Sequence, residues 1–227
     1  MAKDNLKEQE KLQQEKVEER VSAIETFFNE NGKFIWGCLA AIVVVGAIVL
    51  AVQHFYVQPK KAEARNQMYP AEASFRNGEY ELALKGDGNV LGFEQIIADY
   101  GSKAGAAAFL YAGECELELG NYEQAVSYLK KYKGKEPIMA ARALSACGDA
   151  LVALEKNAEA LACYEKAAAK ADNQFAASYL FRAGVLSEEM GESAKALAFY
   201  KKIKDQYPQS MEGYDIDKYI ARIENAQ

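Results

Sequence analysis

The sequence predicts an all-α protein in which one N-terminal transmembrane helix is followed by a solenoid of helical hairpins and a C-terminal capping helix. Three observations lead to this fold class. An uncharged run extends from residue 34 to residue 52, a pattern of small and large residues recurs about every 35 residues, and a one-faced apolar pattern lies near the end of the chain.

Charge and composition exclude several classes of function. The 227 residues include 27 basic and 33 acidic side chains, for a net charge of −6. Nucleic-acid surfaces rely on clustered Lys and Arg, so this balance argues against a nucleic-acid partner. His54 is the only histidine, and no nucleophile, base and acid can be assembled into a catalytic set. We therefore predict no enzyme activity, no cofactor, no metal and no small-molecule substrate.

The four cysteines do not follow a metal or disulfide pattern. They are Cys38, Cys115, Cys147 and Cys163, and no two of them form a C-x-x-C pair. We interpret them mainly as small buried apolar residues. Cys147 and Cys163 could meet across a helical hairpin, which leaves a bridge in an oxidising compartment as an alternative.

Residues 1–33 are predicted to form a helical tail. The stretch DNLKEQEKLQQEKVEER mixes Lys and Glu at helical spacing, which predicts a solvated helix. Near its end an apolar stripe develops that could lie along lipid headgroups or against a partner helix; it consists of Val17, Val21, Ile24 and Phe28. Asn31-Gly32 then predicts the end of this helix, because glycine tolerates the left-handed conformation.

Residues 34–56 are predicted to span a membrane. The 19 uncharged residues from Phe34 to Val52 would form a helix close to the roughly 30 Å thickness of the bilayer core. Phe34 and Trp36 at one end, and Phe55 and Tyr56 at the other, are typical of the aromatic belts at membrane interfaces. A cleaved signal peptide fits poorly, because a long charged tail comes first. Basic residues flank both ends in similar numbers, so they do not decide the orientation.

Residues 105–210 contain three similar units. Gly113, Gly148 and Gly184 recur at steps of 35 and 36, and an alanine follows each glycine twelve residues later. Large apolar residues stand four positions before each glycine and four positions after each alanine. This pattern predicts helical hairpins whose small residues let the two backbones approach, and it resembles the tetratricopeptide repeat. The middle unit has Glu155 where Gly120 and Gly191 occupy the turn, and it ends at Asp172 where the other units end in proline.

Two further segments flank these units. Residues 57–104 are predicted to be a degenerate first repeat, with Gly78, Tyr80 and Ala83 in register before an inserted loop at Gly86-Asp87-Gly88-Asn89. That loop lacks the spaced acidic residues of a calcium loop and the Gly-Lys-Ser/Thr of a phosphate loop. Residues 211–227 are predicted to form a capping helix.

The resemblance to tetratricopeptide repeats predicts a concave groove that binds protein partners. Counting along the first helix of each hairpin, we expect nine residues to point into it: Leu110, Tyr111, Glu114, Arg142, Ser145, Asp149, Phe181, Arg182 and Glu188. Repeats that hold a C-terminal carboxylate use a clamp rich in Lys and Asn. Glu114 and Asp149 stand at equivalent places here, so no such clamp is predicted.

A second resemblance rests on the motif E-x-F-F-x-E-N-G-K, from Glu25 to Lys33, together with the order of tail, span and repeats. This combination resembles the YfgM-like family. The resemblance implies an ancillary, chaperone-like factor at the bacterial Sec translocon, with translocon components, a PpiD-like chaperone and exported polypeptides as partners. It also implies a single-pass protein of the inner membrane, with a cytoplasmic N-terminus and a periplasmic repeat domain. The alternative is a structural scaffold subunit of another cell-envelope complex that binds no client polypeptides.

Overall fold

The computed structural model describes residues 2–171 and 173–225, with side chains described at Val21, Ser22, Thr26 and from residue 30 onward. The chain is 83% helical, with no β-strand in the described ranges, which confirms the predicted all-α helical-repeat fold class. In these ranges the α-helices are α1 Ala2–Val52, α2 Gln58–Arg76, α3 Tyr80–Lys85, α4 Phe93–Tyr100, α5 Ala106–Glu118, α6 Tyr122–Lys130, α7 Pro137–Ala153, α8 Asn157–Ala171, α9 Ala176–Glu189, α10 Ser193–Gln206 and α11 Met211–Asn225. The chain divides into two compact units, Met1–Gln58 and Pro59–Gln227.

The first unit is one long helix, α1, followed by a π-helical turn at Gln53–Val57. The prediction that the tail helix ends at Asn31-Gly32 is wrong, because α1 passes through both residues. Gly32 does not take a positive φ, and an interior glycine weakens a helix by about 1 kcal/mol without ending it. Of the predicted stripe, Val21 is 49% exposed; the side chains of Val17, Ile24 and Phe28 lie outside the described residues.

Within the described residues, one helical stretch is long and apolar enough to cross a membrane by length and composition. It runs from Glu30 to Arg76, and its most apolar window has a mean hydropathy of 2.8 with no part buried. The four aromatic residues predicted for the membrane interface are all exposed: Phe34, Trp36, Phe55 and Tyr56. Exposed apolar surface of this extent is rare on soluble monomers and is typical of a lipid or protein contact.

In the second unit, close glycine contacts join the helices of three hairpins: α5 with α6, α7 with α8, and α9 with α10. A Cβ built on Gly113, Gly148 or Gly184 would come closer than 3.0 Å to the side chain sixteen residues later, which is Leu129, Tyr164 or Tyr200. The alanines at the matching positions of the second helices are fully buried. Small residues therefore set the distance between the paired helices.

Each hairpin turns through the same backbone motif. In the first, the N–H of Gly120 donates to the Leu117 carbonyl, and the next N–H donates to Glu116. In the middle hairpin Glu155 takes the glycine's place with a φ of +59°, and the same two hydrogen bonds form. The departure seen in the sequence therefore leaves the turn unchanged. The predicted unit end at Asp172 lies outside the described residues.

The segment before the three hairpins contains a shorter one. The helices α2 and α3 turn at Gly78 through the same motif, and Ala83 is fully buried. After six residues α3 ends at Lys85, and Gly86 follows it. The loop after Gly86 is closed by Asp87, whose carboxylate accepts the N–H groups of Asn89 and Val90. The chain then enters α4, which packs on α5 through Phe93.

The helix α11 covers the other end of the array. Ile216, Ile220 and Ile223 are buried on one of its faces and pack in the same cluster as Leu180 and Tyr200 of the last hairpin. Its opposite face is open to solvent, with Met211 88% exposed and Tyr214 78% exposed. One buried apolar face and one solvent-exposed face are typical of a helix that ends a repeat array.

Candidate protein-interaction groove

A cavity of about 530 Å³ opens along the first helices of successive hairpins in the second unit. It is lined by Phe75, Arg76, Tyr80, Glu114, Leu117, Glu118, Arg142, Ser145, Ala146, Asp149, Tyr179 and Arg182. We call this set the groove. All but one of its residues come from α2, α5, α7 and α9, because the first helix of each hairpin presents one face to the same side of the array. The exception is Tyr80, at the start of α3.

The structure places five of the nine predicted residues in the groove: Glu114, Arg142, Ser145, Asp149 and Arg182. All five come from the middle of α5, α7 and α9. Ser145 is nearly buried and contributes to the groove floor, whereas Arg142 and Arg182 are exposed. The structure thus brings these side chains onto one surface, and their role in binding stays a prediction.

The other four predicted residues do not line the groove. Leu110 is fully buried in the core, so its predicted orientation is wrong. Tyr111 stacks on Phe93, with 5.4 Å between the ring centroids. Phe181 packs edge-to-face on Tyr219 of α11. Neighbouring residues on a helix point in directions about 100° apart. An error of one position in the count along the helix can therefore assign a core residue to the groove.

Glu188, the fourth of these, closes the last hairpin against the capping helix. Its carboxylate accepts the Tyr200 hydroxyl at 2.6 Å and the Arg222 guanidinium at 2.7 and 2.8 Å. It is therefore engaged in a contact within the array, although the count along α9 placed it with the groove residues.

Sequence reasoning missed the groove residues of the degenerate first unit, Phe75, Arg76 and Tyr80. A signal for them was present, because Gly78 lies five residues before Ala83, as Gly120 lies five before Ala125. That register identifies α2 as the first helix of a hairpin. Four more groove residues were not predicted: Tyr179, Leu117, Glu118 and Ala146. Each lies within one helical turn of a residue that was predicted.

Glu114 and Arg142 form the first charged contact across the groove. The guanidinium donates from Nε to Oε1 at 2.5 Å and from Nη2 to Oε2 at 2.7 Å, a bidentate pair. The Glu114 side chain is 11% exposed and that of Arg142 is 44% exposed. Burial raises the pKa of Glu114, and the hydrogen bonds from Arg142 oppose that shift. The carboxylate is thus costly to keep charged and depends on its partner.

Asp149 carries the second charged contact. It accepts the Tyr164 hydroxyl at 2.8 Å and pairs with the Arg182 guanidinium. Burial, followed by the Asp149 charge, raises the pKa of Tyr164, so the phenol stays protonated and acts as a donor. These pairs occupy two of the three groove arginines. In the described part of the chain no ion pair holds Arg76 or Glu118, which leaves both available to a ligand.

The groove presents aromatic and charged surface suited to a polypeptide. Phe75, Tyr80 and Tyr179 supply aromatic faces, with charges of both signs between them. Among the described residues there is no group of three or more His, Cys, Asp or Glu that could hold a metal ion. The arrangement thus offers apolar and charged contacts for binding.

Comparison with known proteins identifies the repeats. One tetratricopeptide repeat family model matches residues 107–137, and a second matches residues 146–210. These segments are tetratricopeptide repeats. The first match covers α5 and α6, and the second extends from within α7 to the end of the third hairpin. Tetratricopeptide repeats indicate protein partners, so the chain carries a protein-interaction module.

Solved structures give the same fold. Two crystal structures of MamA, a tetratricopeptide repeat protein, superpose with TM-scores of 0.55 and 0.56 at 18% sequence identity. The alignments cover 69% and 71% of this chain and 83% and 82% of the MamA chains. At this identity the likeness concerns the fold alone. A search of curated proteins found no match to this sequence.

Proposed function

We propose that this protein is a membrane-anchored tetratricopeptide module that binds polypeptide segments in its groove, as an ancillary chaperone-like factor at the Sec translocon. The observation that carries the binding part is the groove itself, in which aromatic faces lie along the first helices of successive hairpins, together with Arg76 and Glu118, which no ion pair holds in the described part of the chain. An extended segment suits such a surface, because its side chains can make apolar contacts with the aromatic faces and charged contacts with the Arg and Glu side chains of the groove.

The anchoring part rests on the apolar stretch of α1. Its side chains from Phe34 to Val52 are largely exposed, including Trp36 and the run of valines and isoleucines after it. A bilayer would cover this surface, with the aromatic residues at its two ends in the interfaces. In the proposed orientation the N-terminal tail is cytoplasmic and the repeats are periplasmic, as the resemblance to the YfgM-like family implies.

The binding proposal is tested by photo-crosslinking from the groove in living cells. A photoreactive phenylalanine analogue replaces Tyr179, which lines the groove; the matched control replaces Tyr214, an exposed tyrosine on α11 outside it. We expect crosslinks to newly exported polypeptides from position 179 and few from position 214. A single constant partner at position 179 would instead favour the scaffold alternative, and equal crosslinking from both positions would reject the groove.

A charge reversal sharpens the same test. Arg76→Glu changes a groove residue that no described ion pair holds, and Arg65→Glu changes an exposed arginine of the same helix outside the groove. We expect Arg76→Glu to reduce groove crosslinks by about fivefold, as for a contact worth roughly 1 kcal/mol, and Arg65→Glu to leave them unchanged. Equal effects of the two variants would show that net charge, not the groove, governs capture.

Orientation is tested separately by protease protection. Tags at the two ends of the chain are exposed to protease in intact spheroplasts and after lysis. The proposal requires the C-terminal tag to be cleaved in intact spheroplasts and the N-terminal tag only after lysis. The opposite result would place the repeats in the cytoplasm and remove exported polypeptides as ligands.

A further inference from the structure

Two cysteines of the middle hairpin face one cavity. Cys147 of α7 and Cys163 of α8 line one cavity of about 380 Å³, together with Leu129, Leu144 and other residues of α6 and α7. Both thiols are free. The residue after each of them takes part in a close contact of this hairpin, in which Gly148 lies against the Tyr164 ring. The two cysteines therefore lie beside a point where α7 and α8 are closely packed.

This pair departs from the pattern of its neighbours. The equivalent positions hold Ala112 and Tyr128 in the first hairpin, and Ala183 and Phe199 in the third. Both neighbours thus combine a small residue on the first helix with an aromatic ring on the second. A cysteine in place of the ring at position 163 leaves unfilled volume, and Cys163 lines the cavity.

The surroundings make the two thiols unequal. Interaction with the neighbouring Cys147 thiol lowers the pKa of Cys163, and the nearby ammonium groups of Lys166 and Lys130 act in the same direction. Burial and the Glu159 carboxylate oppose this shift. The same interaction between the two thiols, followed by burial, raises the pKa of Cys147. Cys163 is thus the thiol that ionises more readily, and Cys147 is the thiol that stays protonated.

Three lysines surround the cavity: Lys130, Lys166 and Lys170. Lys130 also pairs with Glu159 at 3.6 Å, an exposed and therefore weak contact. The excess of positive charge favours an anionic molecule at the cavity, because unlike charges raise the local concentration of a ligand.

We propose that Cys147 and Cys163 form a dithiol site that exchanges with an anionic small-molecule disulfide and closes into a disulfide between α7 and α8. The Cys163 thiolate attacks one sulfur of the disulfide, forming a mixed disulfide and releasing one thiolate of the reagent. Cys147 gives up its proton and attacks the Cys163 sulfur, releasing the second thiolate. Two protein thiols are oxidised, one disulfide is reduced to two thiols, and the two protons pass to the released thiolates.

Closure would fix the middle hairpin. The bridge joins residues sixteen positions apart, and a cross-link of that span restricts the unfolded chain enough to raise the melting temperature of the array by about 5–10 °C. It would also hold α7, which supplies Arg142, Ser145 and Asp149 to the groove, against α8. The site therefore links the redox state to the rigidity of the groove's central helix.

The test uses the full chain in detergent with Cys38→Ser, which removes the exposed thiol of the first unit. The chain is incubated with oxidised glutathione at neutral pH, and thiols are followed by mass spectrometry and peptide mapping. We expect a Cys147–Cys163 bridge, whereas Cys115 stays reduced, because burial raises its pKa to about 12. Cys163 should react at least about 100-fold faster than Cys115. An uncharged hydroxyethyl disulfide should react several-fold more slowly than glutathione disulfide.

Two variants distinguish the roles of the thiols. Cys147→Ser should stop at a mixed disulfide on Cys163. Cys163→Phe, which restores the ring of the third hairpin, should remove both the reaction and the oxidant-dependent rise in melting temperature. The proposal is overturned if Cys163 reacts no faster than Cys115, if the mixed disulfide persists although Cys147 is present, or if oxidant stabilises Cys163→Phe as much as the parent chain.

Discussion

The middle and last hairpins, α7–α8 and α9–α10, follow one packing plan with different residues in it. Each places a glycine against a tyrosine ring, and each tyrosine donates a hydrogen bond to a carboxylate on the first helix of its own hairpin: Tyr164 to Asp149 at 2.8 Å, and Tyr200 to Glu188 at 2.6 Å. An arginine from the next element, Arg182 or Arg222, then pairs with that carboxylate.

The differences show which parts of the plan are fixed. The acid lies one residue after the glycine in the middle hairpin and four residues after it in the last, whereas the glycine and tyrosine keep their spacing. A long arginine side chain can reach an acid at either position. The close packing of the paired helices, in contrast, does not allow the glycine and the tyrosine to change their spacing. Packing between the helices thus fixes the repeat, and charged contacts between repeats adjust around it.

The largest expected effect comes from filling the close approach. Gly148→Ala and Gly184→Ala each place a methyl group closer than 3.0 Å to a buried tyrosine ring. We expect each to lower the free energy of unfolding by about 2–3 kcal/mol, because a rigid ring can move only with its helix. Urea unfolding of the full chain in detergent, followed by circular dichroism, measures this.

Gly113→Ala is the matched variant for this prediction. Its methyl group meets the side chain of Leu129. A branched aliphatic chain can adjust by rotation about its own bonds more readily than a ring, so we expect a smaller loss of about 1 kcal/mol. If Gly113→Ala proved as costly as the other two, the distinction between ring and aliphatic contacts would be rejected.

The next effect concerns the tyrosine hydroxyls. Tyr164→Phe and Tyr200→Phe each remove one hydrogen bond to a carboxylate and keep the ring that packs on the glycine. We expect each to lower the free energy of unfolding by about 1–2 kcal/mol. Tyr214→Phe, at an exposed position on α11, is the control and should change nothing. A loss confined to one hairpin would mean that only that carboxylate needs its phenol.

A smaller effect is expected at the turns. Glu155 has a φ of +59°, a conformation that costs a residue with a side chain about 1–2 kcal/mol relative to glycine. Glu155→Gly should therefore raise the free energy of unfolding by about 1 kcal/mol, and Gly191→Ala, where φ is +76°, should lower it by a similar amount. Parallel urea titrations give both values, and changes of the same sign would contradict this account of the turn.

The sequence predicted the hairpins well because glycine, alanine and large residues at fixed spacing report backbone distance directly. It predicted the groove less well. Leu110 and Tyr111 were both predicted for the groove, and neither lines it. The rotation of α5 about its axis decides which side chains face the core or the groove, and it depends on how neighbouring hairpins pack. The spacing of residues within one helix does not report that packing. The long α1 shows the same limit, since Asn31-Gly32 permits a helix end but does not require one. The sequence predicted that Cys147 and Cys163 could meet across a hairpin. It did not predict the difference between their surroundings, because that difference depends on side chains of both α6 and α8.

The smallest effect is a pH dependence of the free energy of unfolding at the contact between the first and middle hairpins. Leu129 occupies the position of the tyrosine in the first hairpin, so Glu114 pairs with Arg142 and has no tyrosine hydroxyl at that position to accept. Burial holds the pKa of Glu114 above its ordinary value of 4.5. The folded chain therefore binds this proton more tightly than the unfolded chain, so the group's contribution to stability is highest below pH 4.5 and is lost as pH rises through the raised value. As the pH rises through that value, we expect the stability of Glu114→Gln to increase relative to that of the parent chain. Urea titrations across the pH range measure this difference.

The control is Glu118→Gln, at an exposed glutamate one turn along α5, and the same titrations should show no such shift for it. If both variants behaved alike, the burial of Glu114 would not be the cause.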